Sequence, residues 1–222
     1  MLFSEQTILA LDLIAGTTDS NAAVLAAESS SSEGISVLGS TIVIKLFVKK
    51  PIHYPGITNH RIGGKWLAGG SSNAGGSILK ELFNVQELQD LSRQIDPESN
   101  SGLNLLPLSR KGERFPINDP DLEPVLLPRP VSDSLYLHGL LEGLARIEAQ
   151  AWKKLIELNS EGETPKKIIT IGGGSSNPQW RRIRQRLIGL PIHSSSKEPA
   201  EGVARLGWQA MNSNNSKGLS AP

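Results

Sequence analysis

The stretch KKIITIGGGSSNPQWRRI, residues 166–183, joins an apolar β-branched run to a helix-like segment across three consecutive glycines. Its inner word, GGSSN at Gly173–Asn177, occurs again at Gly69–Asn73 within KWLAGGSSNAGGSILKEL (65–82). Glycines at a strand-to-helix junction let the chain turn sharply and approach a ligand with no Cβ between them. The amides at the start of the following helix then favour an anion or a polar ligand edge. Both copies precede a predicted helix, which leaves two readings: two ordinary loops, or two turns that face one ligand. Their flanks share no pattern, so the chain is not an internal duplication.

The spacing around Gly172–Asn177 excludes two common phosphate-binding devices. A P-loop needs a Lys after its glycines, and none stands there. A dinucleotide fingerprint needs a third Gly where Asn177 stands, and an acidic residue farther on that is also absent; this disfavours a nicotinamide-dependent oxidoreductase. A nucleoside fits better. Asn177 offers an amide to a purine or ribose edge, and Trp180 offers a stacking face one helical turn later. From spacing alone the alternative stays open that Asn177 caps the helix and Trp180 belongs to the core.

Composition narrows the function classes. The chain has 222 residues, 38% hydrophobic, with a formal net charge of +1, which gives no reason to expect nucleic acid or an anionic membrane as partner. Without cysteine there is no disulfide, thiolate metal site or Cys nucleophile. His53, His60, His138 and His193 stand at no ligand-like spacing, so no metal site is predicted. No apolar run reaches the ~20 residues that span a bilayer. The N-terminus lacks a basic signal-peptide region, so the expected location is cytoplasmic.

Strand and helix patterns alternate, which predicts an α/β domain around a sheet. TILALDLIAG (7–16) reads as a strand and SNAAVLAAE (20–28) as a helix capped by Ser20. ISVLGSTIVIKLFV (35–48) and HRIGGKWLAGG (60–70) read as hairpins, with a helix over 75–83. Residues 97–134 form a Pro-rich excursion with too much apolar content for a linker. A long helix follows, its core face marked by Leu140, Leu144, Ile147, Ala151, Leu155 and Leu158, with Glu142 and Arg146 able to pair on the other face. A strand over 166–171, a helix closed by Gly189, a strand at 190–194 and a last helix complete a domain predicted to span 1–211. Residues 212–222 read as a disordered tail.

Several segments, in order, resemble the FGGY carbohydrate kinases of the actin-like ATPase superfamily (ribonuclease H-like fold). GGGSSNPQWRRIRQRLIGLPI is similar to their adenosine-binding signature, and GTTDS (16–20) to the segment with the catalytic aspartate. LGST (38–41) resembles the phosphate-contacting hairpin, and AGGSSNAGGSIL (68–79) the turn and helix that close over the nucleotide. GERFPINDPDLEP (112–124) resembles the substrate-side excursion, and GLLEGLARIEAQ (139–150) the C-terminal signature helix. The likeness is greatest to the short ribulokinase- and xylulokinase-type pentulose kinases of cyanobacteria and plastids.

The resemblance implies a mixed sheet flanked by helices and ATP-dependent phosphorylation of a sugar, a pentulose such as D-ribulose. It places the general base on Asp19, although an Asp there also suits a helix cap. It assigns phosphate contacts to Gly39, Ser40 and Thr41, with Gly75 a weaker candidate. Adenosine contacts fall to Gly173, Gly174, Asn177 and Trp180. ATP or ADP with Mg2+ would be the cofactor, with magnesium ligands not identifiable in the sequence. Both GGSSN turns are expected on the nucleotide side. Arg114 reads as an anchor of the excursion through an ion pair, or as a substrate contact. The family's N-terminal sugar-binding domain, with its D-x-G-T loop, has no counterpart; three residues rather than one separate Asp12 from Gly16. The expected partners are therefore a sugar and a separate N-terminal half or a second copy. The alternative is an inactive nucleotide-binding remnant.

Overall fold

The computed structural model describes residues 17–27, 32–62 and 64–217. The strand expected at 7–16 and residues 218–222 of the expected tail lie outside them. Six strands form one sheet in the order β3-β4-β2-β1-β5-β6. They are β1 (Glu33–Leu38), β2 (Ile42–Val48), β3 (Ile57–Ile62), β4 (Lys65–Ser71), β5 (Lys167–Ile171) and β6 (Ile192–Ser194). β1 pairs antiparallel with β2 and parallel with β5, and β5 pairs parallel with β6, so the sheet is mixed. This agrees with the α/β expectation, and both predicted hairpins form.

The period-2 pattern of β2 explains the layering. Ile42, Ile44, Leu46 and Val48 are buried in the main core beside α4 (Asp133–Leu158), which brings Leu137, Leu140 and Leu144 to the same cluster. The smaller second core holds Ala23 and Val24 of α1 (Asp19–Ala27) with Ile35, Leu67 and Ile171. Gly34 lies flat under the Trp152 ring, where a Cβ would come within 2.5 Å. Also present are α2 (Gly76–Leu82), α3 (Val85–Ser92), α5 (Pro178–Ile188) and α6 (Pro199–Lys217). No helix among the described residues is long and apolar enough to cross a membrane.

Four local expectations change. α1 begins at Asp19, because the Thr18 carbonyl already accepts from Asn21 and Ala22; Ser20 is inside the first turn rather than its cap. α3 is absent from the predicted elements, and it starts with a capping box between Asn84 and Glu87. α6 continues to Lys217, six residues into the expected tail, since an established helix propagates at one hydrogen bond per residue fixed. Glu142 does pair with Arg146, at 3.8 Å, but not on a solvent face. Its carboxylate is 1% exposed and is held mainly by Arg186 at 2.6 Å and by the Ser101 hydroxyl and amide. Burial would raise its pKa, but those hydrogen bonds outweigh burial and keep it below the usual range.

The excursion is tied down at intervals. Leu106 and Val125 exchange backbone hydrogen bonds, as do Glu113 and Asp119, and the Tyr136 hydroxyl donates to the Leu126 carbonyl. At its start, Arg186 donates to the Pro97 and Ser99 carbonyls and so fixes the excursion to α5.

Candidate functional site

Parallel pairing of β1 and β5 determines where the ligand-facing loops meet. Val37 registers with Ile171, so both strands end at the same edge of the sheet and their exit loops leave side by side. The carboxyl ends of adjacent parallel strands are where α/β sheets bind ligands. A cavity of about 680 Å³ opens there, within the size range of small-molecule sites. Gly39 and Ser40 line it from the β1 exit, and Gly173, Gly174 and Asn177 from the β5 exit. Leu79 and Lys80 of α2 and Leu88, Gln89 and Ser92 of α3 form the remaining walls.

The β1 exit loop is held by its carbonyls. Gly76 N donates to Gly39 O at 2.9 Å, and the Ser77 amide and hydroxyl both donate to Ser40 O. The first amides of α2 are therefore spent on the loop and do not point at solvent. Gly75 serves the same contact: a Cβ there would meet Ser40 O at 2.4 Å and the Thr41 Cα at 2.5 Å. Thr41 and Gly75 thus shape the loop from behind, and neither lines the cavity.

After β5 the chain makes a single 3-10 turn, Gly173–Ser176, before α5. Gly172 has φ 94°, and a Cβ on it would strike Leu38 O at 2.7 Å, so the two exit loops touch at backbone distance. Asn177 caps α5: its Oδ1 accepts from the Trp180 amide at 2.9 Å, and its Nδ2 donates to Ser92 Oγ at 2.8 Å. Both polar atoms of that side chain are engaged. Trp180 is 2% exposed, and its ring packs under Gly174, where a Cβ would come within 2.5 Å of it. Trp180 lines the cavity from below Gly174, and its buried Nε1 makes no hydrogen bond. The ring face is therefore covered rather than presented for stacking.

Six of the nine candidate residues, Gly39, Ser40, Gly173, Gly174, Asn177 and Trp180, share this concavity. Asp19 is exposed in the first turn of α1 and does not line it. The first GGSSN does not line it either. Gly69 and Gly70 lie inside β4, Ser72 and Asn73 turn to the buried Glu113, and the segment reaches the cavity only beyond the word, at Gly76, Leu79 and Lys80. Arg114 anchors the excursion, but through hydrogen bonds to Ser71 Oγ at 2.9 Å and Ser72 O at 3.4 Å rather than an ion pair. The α3 wall was missed from sequence, although the Asn84–Glu87 spacing carried the signal for that helix.

The electrostatics suit an anion. Lys80 and Arg93 line the cavity and no carboxylate does, and Arg93 also pairs with Asp90 of α3 at 2.9 Å. Among the described residues no three His, Cys, Asp or Glu side chains cluster as a metal site.

Comparison with known proteins agrees with this geometry. Residues 35–211 match the family model described as "FGGY family of carbohydrate kinases, C-terminal domain". The chain belongs to the FGGY family. It superposes on ligand-bound xylulose kinase from Lactobacillus acidophilus with a TM-score of 0.71 at 20% identity, covering 87% of this chain and 41% of that one. A xylulose kinase from Brucella ovis gives 0.72 at 20% identity, covering 88% and 42%. Plasmodium falciparum glycerol kinase with ADP gives 0.71 at 18% identity, covering 85% and 40%. The fold is therefore that of the actin-like FGGY kinases. The chain spans about two fifths of the length of these kinases.

Proposed function

We propose that the cavity binds ATP and ADP and that the chain contributes the nucleotide-holding half of a carbohydrate kinase site. The observation that carries this reading is the shared concavity of the two exit loops, walled by α3 and facing Lys80 and Arg93. In this reading the adenosine lies along Gly173–Asn177 against α3, and the phosphates extend toward Gly39 and Ser40. Committed to its cap and to Ser92, Asn177 shapes the base pocket; Gln89 and Gln179 are the side-chain amides left to read the base edge. Lys80, and Arg93 shared with its Asp90 partner, would balance the phosphate charge.

Asp19 is the proposed general base. It would take the proton of a sugar hydroxyl as that oxygen bonds to the γ-phosphorus and the bond to the β–γ bridging oxygen breaks, releasing ADP. A pentulose such as D-ribulose is the proposed acceptor. Magnesium would be carried by the phosphates. A second reading, a nucleotide-binding module without turnover, is favoured by one observation: Asp19 lies outside the residues that line the cavity.

Titration with ADP and a coupled phosphorylation assay with D-ribulose and D-xylulose separate the two. Saturable ADP binding supports the nucleotide reading, and its absence refutes it. Turnover that disappears in Asp19→Asn while ADP affinity holds within about twofold assigns the base. ADP binding with no turnover, even when the sugar-binding half of an FGGY kinase is co-expressed, selects the module.

A further inference from the structure

Beneath the two exit loops lies an ion pair that touches no ligand-facing surface. Arg184 of α5 and Glu148 of α4 are both fully buried. The guanidinium grips the carboxylate with two bonds, Nε to Oε2 at 2.6 Å and Nη2 to Oε1 at 2.7 Å. Nη2 also donates to Thr170 Oγ1 at 3.0 Å, and Glu148 Oε1 accepts from Ser36 Oγ at 2.6 Å. Trp152 Nε1 donates to that same Ser36 oxygen at 3.1 Å. The Arg184 guanidinium also stands 6.0 Å from the centroid of the Trp180 ring, the cavity floor.

The location is informative. Ser36 and Thr170 are partners across the parallel β1–β5 ladder. Each sits a few residues before its strand exits, Ser36 ahead of Gly39–Ser40 and Thr170 ahead of Gly172–Asn177. A buried pair of this kind adds little net stability, because desolvation of both charges offsets most of their attraction. A two-pronged Arg–carboxylate contact does impose a fixed geometry. Four elements are joined at this point, and two of them deliver the loops that line the cavity.

We infer that the Glu148–Arg184 pair positions the nucleotide cavity by setting the spacing and tilt of the β1 exit loop relative to the β5 exit loop. The inference rests on the nucleotide reading of the cavity. Glu148 and Arg184 are positioning residues that act through Ser36 and Thr170, the paired residues of the two strands. A ligand that spans both loops should feel the pair strongly; one that occupies only the β5 side should not.

The test compares ADP with adenosine by calorimetry, beside the thermal midpoint of the free protein. The double substitution Glu148→Met with Arg184→Met replaces the pair with apolar side chains of similar length. The expected result is an ADP affinity weakened about tenfold, with adenosine changed less than about twofold. Thr170→Val, which removes one hydrogen bond, is expected to weaken ADP about threefold with the same selectivity. Folded variants in which ADP and adenosine weaken equally, or neither weakens, overturn the positioning role. Should the double variant fail to fold, the ADP-to-adenosine ratio of Thr170→Val and Ser36→Ala decides by the same criterion. Absence of ADP binding in the unaltered chain overturns the nucleotide reading and this inference together; its presence with unchanged ratios in the variants overturns this inference alone.

Discussion

Gly69–Asn73 and Gly173–Asn177 spell the same five residues and do different work. In the first, the glycines are strand residues pressed on their neighbours. A Cβ on Gly69 would lie 2.0 Å from the Ile44 carbonyl oxygen, and one on Gly70 would lie 2.3 Å from the Phe115 ring. Ser72 donates to Glu113 at 2.5 Å, the Asn73 amide does so at 2.8 Å, and Asn73 Nδ2 donates to Gly112 O. That copy fastens the excursion to the sheet. In the second, Gly173 has open space where a Cβ would point, and the turn faces the cavity. Local sequence supplies flexible backbone and hydroxyls; the residues that arrive from elsewhere in the chain decide their use.

The contrast can be broken most forcefully at Gly69. Gly69→Ala forces a methyl group against backbone that has no room to yield, and a loss of about 3 kcal/mol or more is expected in urea unfolding. Glu113→Ala comes next. It strips the Ser72 hydroxyl and the Asn73, Arg114 and Phe115 amides of a buried acceptor, so about 2–3 kcal/mol should be lost. ADP titration of the same folded variant should be unchanged, because Glu113 does not line the cavity.

Lys45 sharpens the comparison from another side. Its side chain packs against Gly69, it is 3% exposed, and burial lowers its pKa to about 8. The unfolded chain therefore binds more protons than the folded one between about pH 8 and 10.5, and stability rises across that window. At pH 7 the buried charge opposes folding in full. Lys45→Met should raise stability there by about 2 kcal/mol, and its advantage should vanish by about pH 10.5 in unfolding curves taken across pH. The smallest change in stability belongs to the second copy. Gly173→Ala should shift unfolding by less than about 0.5 kcal/mol while weakening ADP about fivefold, since the methyl group enters the cavity rather than the core.

Period and punctuation made much of the architecture readable in advance. The β-branched run of β2, the Leu140–Leu155 face of α4 and the αL Gly189 at the end of α5 each announce their element locally. The cavity was readable in part, because glycine turns after strands are local signals too. Pairing was not readable. That Glu142 faces Arg186 and Ser101, that Asn177 spends its amide on Ser92, and that Trp180 is a floor rather than a platform all depend on elements brought together from far apart in the chain. Polar side chains at helical spacing look solvent-facing until a partner arrives to bury them. Glu148 and Arg184, the centre of a fully buried polar network, gave no sign in the sequence for that reason.

Gly202 of α6 lies directly on α1, where a Cβ would meet the Ala22 carbonyl oxygen at 2.1 Å and the Ala26 amide nitrogen at 2.8 Å. The proposed base at Asp19 thus leans on a helix from the far end of the polypeptide. A version of the chain cut before Pro199 would retain every strand of the sheet and the residues that line the cavity, and would still lose the seat of the proposed acid. Silence from such a version would report a missing buttress, not missing chemistry.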